Sequence, residues 1–148
     1  MSPRELSVFR SCSTADYACD LARDQAMDKE TALIQAGQEF DALLPGSFLR
    51  VIEAGACAVG VLWYLTEETD GVHHVFVNDF VISPQHRRRG YALAALDSLA
   101  REARTLGCTE IRLYVSDSNQ PAWALYKRSG FRLLRPAHAG AWLFKTIV

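Results

Sequence analysis

The chain has 148 residues, a hydrophobic content of 49%, a charged content of 22% and a formal net charge of −1. Its length suits one domain, 1–148, around one core, and its composition excludes a disordered or fibrous chain. A near-neutral charge gives no bulk reason to expect a nucleic-acid partner. No apolar run approaches the roughly 20 residues of a membrane helix, and Met1 to Arg10 contain no signal-peptide core, so the expected location is cytoplasmic.

In chain order, residues 4–10 read as a first strand. Ser13 or Thr14 is placed to cap a helix to about Ala26, and Asp28 to cap a second that ends before Pro45. Tyr17, Leu21 and Ala22 in one, and Leu33, Ala36, Phe40 and Leu44 in the other, are the expected packed faces. Residues 48–53 and 57–66 read as strands joined at Ala54 and Gly55, and a loop from Glu67 to Gly71 leads to a strand from His73 to Ile82. A helix from Arg89 to Leu106 stops at Gly107, and Ile111, Leu113 and Val115 mark a strand by alternation. Asn119 caps the next helix, with Pro121 in its first turn and Gly130 at its end. Phe131–Leu134 and Ala141–Val148 supply two last strands. No repeat or linker interrupts this order.

Cys12, Cys19, Cys57 and Cys108 lie far apart and lack His partners at ligand spacing. They read as reduced thiols rather than a metal site, with Cys57 and Cys108 expected to be packing residues. Acidic residues gather at Asp16, Asp20, Asp24, Asp28 and Glu30 and again at Glu67, Glu68 and Asp70. Basic residues gather at Arg87, Arg88 and Arg89, followed by Arg101 and Arg104. Such a split suits an anionic donor and a cationic acceptor, although a solvated helix face produces the same acidic run.

The stretch from Asn78 to Ala92 carries the most chemistry. An apolar strand breaks at Pro84 into a basic turn, and Gly90 allows close backbone approach where a helix begins. Unpaired amides at such a helix start, with the positive end of its dipole, hold phosphate or pyrophosphate. The competing use of three arginines, nucleic-acid binding, lacks an aromatic platform or a wider basic field.

Arg87, Gly90 and Ala92 resemble the Arg/Gln-x-x-Gly-x-Gly/Ala signature of the GNAT superfamily of acyl-CoA-dependent N-acetyltransferases. Val115, Asn119, Ala122, Leu125, Tyr126, Gly130 and Phe131 resemble its second block. The resemblance is specific from about Val72 to Phe131. It implies an α/β (α+β) GNAT fold, a mixed, mostly antiparallel sheet of about seven strands with four helices. The implied order is strand, two helices, three strands, helix, strand, helix, two strands.

The resemblance also implies acetyl-CoA as cosubstrate, no metal, and direct transfer of acetyl to a primary amine. Arg87, Arg88, Arg89, Gly90, Tyr91 and Ala92 would hold the CoA pyrophosphate. Phe80, Val81 and Ile82 would pair with the pantetheine arm beside a bulge, and Asn119 would contact CoA. Tyr126 would protonate the departing thiolate, as a phenol near pKa 10 can for a thiol near 8.5. Many members carry a glutamate near the position of Asn78, which cannot act as a base. Asp79, in apolar surroundings, is the candidate base or acceptor-binding anion. Regular alternation would send Asn78 and Asp79 to opposite faces unless a bulge intervenes.

His74, which shares a face with Asn78 in a regular strand, is a candidate proton relay. His138 lies in or beside the final loop, which by resemblance borders the acceptor pocket, whereas Trp142 there reads as a core residue. Asp24 and Asp28 lie beside the same pocket by resemblance and suit a cationic amine. Family members often pair through their last strands, which leaves room for a homodimer. Nucleic acid and membrane are not expected partners. An acyl-CoA-binding sensor without turnover is the alternative, motivated by Asn78 and opposed by Tyr126.

Overall fold

Ser2 and Glu5 begin the first helix by satisfying each other's backbone. The Ser2 hydroxyl accepts from the Glu5 N–H at 3.2 Å, and the Glu5 carboxylate accepts from the Ser2 N–H at 2.7 Å. Pro3 occupies the first turn, where a missing donor costs nothing. In the computed structural model, which describes residues 1–147, helix α1 therefore spans Pro3–Asp24. The strand expected over 4–10 is helical instead, because the capping box nucleates a helix that the alternation of Glu5 to Arg10 does not override. Thr14 caps nothing and donates its hydroxyl to the Arg10 carbonyl at 2.7 Å.

Asp28 does cap helix α2, Lys29–Leu43, accepting from the Thr31 N–H at 2.9 Å. The two helices bury Ala18, Leu21, Ala32 and Ala36 with Ala22 and Met27 packed alongside, and the Phe9 and Phe40 rings meet at 5.9 Å. Tyr17 and Leu33 are exposed rather than packed, since small alanines form this seam. Together the helices make one compact unit, Met1–Phe48, and the rest of the chain makes a second.

The second unit is built on strands β1 (Phe48–Ala54), β2 (Cys57–Thr69), β3 (Val72–Ile82), β4 (Glu110–Ser116), β5 (Arg132–Ala137) and β6 (Gly140–Thr146). It also contains helices α3 (Tyr91–Thr105) and α4 (Gln120–Arg128). The last residue of the expected final strand, Val148, lies outside the described residues. The six strands lie in the order β1-β2-β3-β4-β6-β5, and the β3–β4 pair is parallel while β2–β3, β4–β6 and β5–β6 are antiparallel. Among the described residues the sheet thus has six strands rather than about seven, with four helices as expected. The loop expected from Glu67 is also replaced. β2 continues to Thr69, and Asp70 and Gly71, with φ of 52° and 78°, form a two-residue turn of the left-handed kind that Asp-Gly favours.

Val75, Val77, Ile111, Leu113 and Val115 are buried from the sheet, and Leu96, Leu99 and Ala103 from α3, which packs on β3 and β4. Tyr64 is fully buried, its hydroxyl facing Glu102 and Arg50, and burial pushes the phenol up to about 12.

Candidate functional site

The site begins with a register shift. Trp63 pairs with Asp79 and Tyr64 with Val77, so Asn78 is an extra residue with no partner on β2. Paired residues share a face, and Trp63 and Tyr64 point to opposite ones. Val77 therefore lies with Tyr64, while Asp79 lies with Trp63. The bulge residue Asn78, one step beyond Val77, joins the Asp79 face rather than opposing it.

The parallel ladder to β4 runs from His74↔Glu110 to Val77↔Leu113 and stops at this bulge. Beyond it β3 continues to Ile82, and β4 to Ser116, without a ladder between them. A slot opens where the strands part.

Strand alternation decides which backbone groups face that slot. The Ser83 N–H donates to the Val59 carbonyl of β2 at 2.8 Å, so Val81 also faces β2, whereas Phe80 and Ile82 face away from it. A Cβ at Gly60 would stand only 2.3 Å from the Val81 carbonyl oxygen, which agrees with that direction. Of the three expected pairing residues, Phe80 and Ile82 present backbone to the slot and Val81 does not. Two of the slot-facing groups are engaged. The Phe80 N–H donates to the Asp79 carboxylate at 2.9 Å, and the Ile82 carbonyl accepts from Arg87 Nε at 2.9 Å.

The next turn is a single 3₁₀ turn, Pro84–His86, leading to Arg88 at φ 62° and Gly90 at φ 82°. Helices α1, α2 and α4 each start on a side-chain oxygen, from Ser2, Asp28 and Asn119. Helix α3 starts on Gly90 with no side-chain cap. Its first-turn amides, up to those of Tyr91 and Ala92, are left for another acceptor. A Cβ on Gly90 would meet nothing within 4 Å, so glycine is present for its backbone conformation. Arg88 and Arg89 are exposed, while Arg87 is folded onto the end of β3.

Tyr126 of α4 is buried, with its ring 5.4 Å from that of Phe131. Burial first, and the negative charge of Asp79 second, push its phenol up to about 12. The fold therefore brings Asp79 and Tyr126 together, although they are far apart in sequence. Proton donation from Tyr126 to a thiolate is harder than a phenol near 10 suggests. Against a thiol near 8.5, the deficit is about 3.5 pKa units, or ~5 kcal/mol.

Asn119 is occupied as a cap, its Oδ1 accepting from the Ala122 N–H at 3.2 Å. His74 is 2% exposed and held between the Glu67 carboxylate at 3.2 Å and the Val72 carbonyl at 3.3 Å. His138 is exposed in the turn between β5 and β6. Trp142 packs at a tilt against the Phe76 and Tyr114 rings, with the guanidinium of Arg135 over its own ring. Asp24 pairs with Arg23 at 3.0 Å, and Asp28 is used by its cap. Cys108 is buried, but Cys57 is exposed and faces His86 Nε2 at 3.8 Å, because β2 begins in the open beside the 3₁₀ turn. The bulge that the resemblance implies falls at Asn78, a position that the sequence does not mark because it is set by pairing with β2.

Residues 14–131 match the model of the acetyltransferase (GNAT) family, a span that crosses both compact units. The uncharacterised N-acetyltransferase YycN of Bacillus subtilis (strain 168) is 30% identical over 144 residues, covering 89% of this chain and 91% of that protein. The YycN crystal structure superposes with a TM-score of 0.82 at 27% identity, covering 94% of this chain and 93% of that one. The thialysine N-epsilon-acetyltransferase of Bos taurus is 32% identical over 84 residues, 56% of this chain and 49% of that protein. The PaiA N-acetyltransferase of Thermoplasma acidophilum, solved with coenzyme A, shares the fold at a TM-score of 0.65 and 14% identity, over 99% of this chain and 95% of that one. Matched over that span of its sequence, with a relative of that identity along most of its length, the chain belongs to the acetyltransferase (GNAT) family, and its activity is that of an acyltransferase.

Proposed function

We propose that this protein moves the acetyl group of acetyl-CoA directly to a primary amine. The observation that carries the reading is the slot, where β3 parts from β4 at a bulge and runs on into a helix start with no cap. These features fit the cosubstrate chemically. Uncapped amides and Arg88 and Arg89 suit a pyrophosphate, and the slot-facing backbone of Phe80 and Ile82 suits a pantetheine amide. Asn119 stands at the neighbouring helix start. The name of the bovine relative, which acts on an N-epsilon amine, supports a primary amine as acceptor.

In this reading Tyr126 remains protonated at neutral pH and gives a hydrogen bond to sulfur as negative charge develops there. Asp79, on the same face as Asn78, receives the proton of the attacking ammonium or holds it in place. Direct transfer is favoured over a covalent relay, since buried Cys108 has its thiol pushed up by burial.

The test is release of CoA thiol from acetyl-CoA across a panel of amines. A control without amine is needed because Cys12, Cys19 and Cys57 are exposed and free. Amine-dependent release is the expected result. Tight acetyl-CoA binding with no release across the panel would favour the sensor alternative instead.

A further inference from the structure

The Nδ2 of Asn78 is buried and has no hydrogen-bond partner among the described residues. An unpaired buried donor is costly, and native chains keep few of them. This one sits at the bulge, where the β3–β4 ladder ends, on the face it shares with Asp79. The charge of Asp79 in turn reaches the Tyr126 phenol. The donor therefore stands among the groups that carry acyl transfer in the proposed function, and its own role rests on that reading.

Only an atom with available lone pairs can satisfy an N–H. Three reacting atoms meet in the transfer. The attacking nitrogen needs its lone pair for the carbonyl carbon, and a donor pointed at it would oppose the reaction. The departing sulfur is served by Tyr126. The carbonyl oxygen keeps lone pairs throughout and gains negative charge at the tetrahedral stage.

We infer that Asn78 donates through Nδ2 to the acyl carbonyl oxygen and stabilises the oxyanion. The nitrogen lone pair forms the C–N bond and the carbonyl π pair moves onto oxygen, where Asn78 meets it. That pair then returns, the C–S bond breaks, and its electrons leave on sulfur beside the Tyr126 hydroxyl. Nitrogen gives up two protons, one from the ammonium before attack and one from the tetrahedral adduct. Each passes to Asp79 and on to solvent, and the thiolate regains one from solvent. A carboxylate at position 78 would repel the oxyanion, whereas a carboxamide binds it. Asn78 is thereby a catalytic residue in its own right rather than a lost base.

The experiment compares acetyl-CoA with S-ethyl-CoA, a thioether that lacks the carbonyl oxygen, by calorimetry. Wild-type protein should bind acetyl-CoA about 2- to 10-fold more tightly, the range for one net hydrogen bond. Asn78→Ala should close that gap by weakening acetyl-CoA alone. Its kcat should fall about 100-fold with the amine KM little changed, the signature of a lost oxyanion donor. Asn78→Leu, which keeps the volume and removes the orphaned donor, should close the same gap while raising the melting temperature of the ligand-free protein. Retention of the acetyl-CoA preference by both variants, or of wild-type kcat by either, would overturn the inference while leaving the acyl-transfer reading in place. A wild-type protein that binds neither ligand would overturn both.

Discussion

Tyr126→Phe is expected to lower kcat by about 10- to 200-fold, the loss of one hydrogen bond of roughly 1.5–3 kcal/mol to a charged atom. The ring should keep its contact with Phe131, so the fold should survive. Thiol-release kinetics measure the effect, and a variant with wild-type kcat would remove Tyr126 from the reaction. The high phenol value shapes the pH behaviour as well. With a value of about 12, Tyr126 keeps its proton throughout the usual assay range, so its ionisation sets no alkaline limit near neutrality. It does affect stability. A tyrosine that ionises near 10 when unfolded and about 12 when folded contributes stability that is complete below pH ~10. That contribution is lost as pH rises through about 12, by up to ~3 kcal/mol. Tyr126→Phe should flatten this alkaline decline, and denaturant titrations above and below pH 10 would show it.

Gly90→Ala should weaken acetyl-CoA binding by tenfold or more. At φ 82° an alanine carries a strain of roughly 1–2 kcal/mol, which the chain either bears or relieves by rotating the peptide before α3. Bearing it lowers stability by that amount. Relieving it turns the uncapped amides away from the pyrophosphate. Calorimetry with acetyl-CoA, paired with thermal melting, separates the two. Unchanged affinity together with an unchanged melting temperature, the mark of strain relieved by rotation, would mean that the helix start does not hold the cosubstrate.

The elements that local chemistry determines are legible in the sequence. Helix α4 is announced by Asn119, Pro121 and Gly130, and the structure has that helix, capped as expected by the Asn119 side chain. The first helix differs from the expected strand because Ser2, Pro3 and Glu5 encode a start that the alternating residues after them obscure. The Asp70-Gly71 turn carries its own hairpin signature, hidden within a polar run that reads as a longer loop. Other features depend on partners distant in sequence. Whether Asn78 and Asp79 share a face is decided by the pairing of Trp63 and Tyr64. The elevated Tyr126 phenol arises where α4 buries it beside Asp79. The seam between α1 and α2 is read in part: Leu21, Ala22 and Ala36 are packed as expected, whereas Ala18 and Ala32 escape a search for large apolar residues and Leu33 is exposed.

The bond between the Phe80 N–H and the Asp79 carboxylate has a kinetic meaning in the proposed reaction. The same N–H belongs to the edge on which a pantetheine amide would pair, and it cannot serve both acceptors fully. Under that proposal, seating the acyl donor would compete with Asp79 for that contact and loosen the carboxylate, freeing it for the incoming ammonium. One backbone amide would then work as an interlock on the order of addition, with the amine meeting its strongest anion only once the thioester is in place.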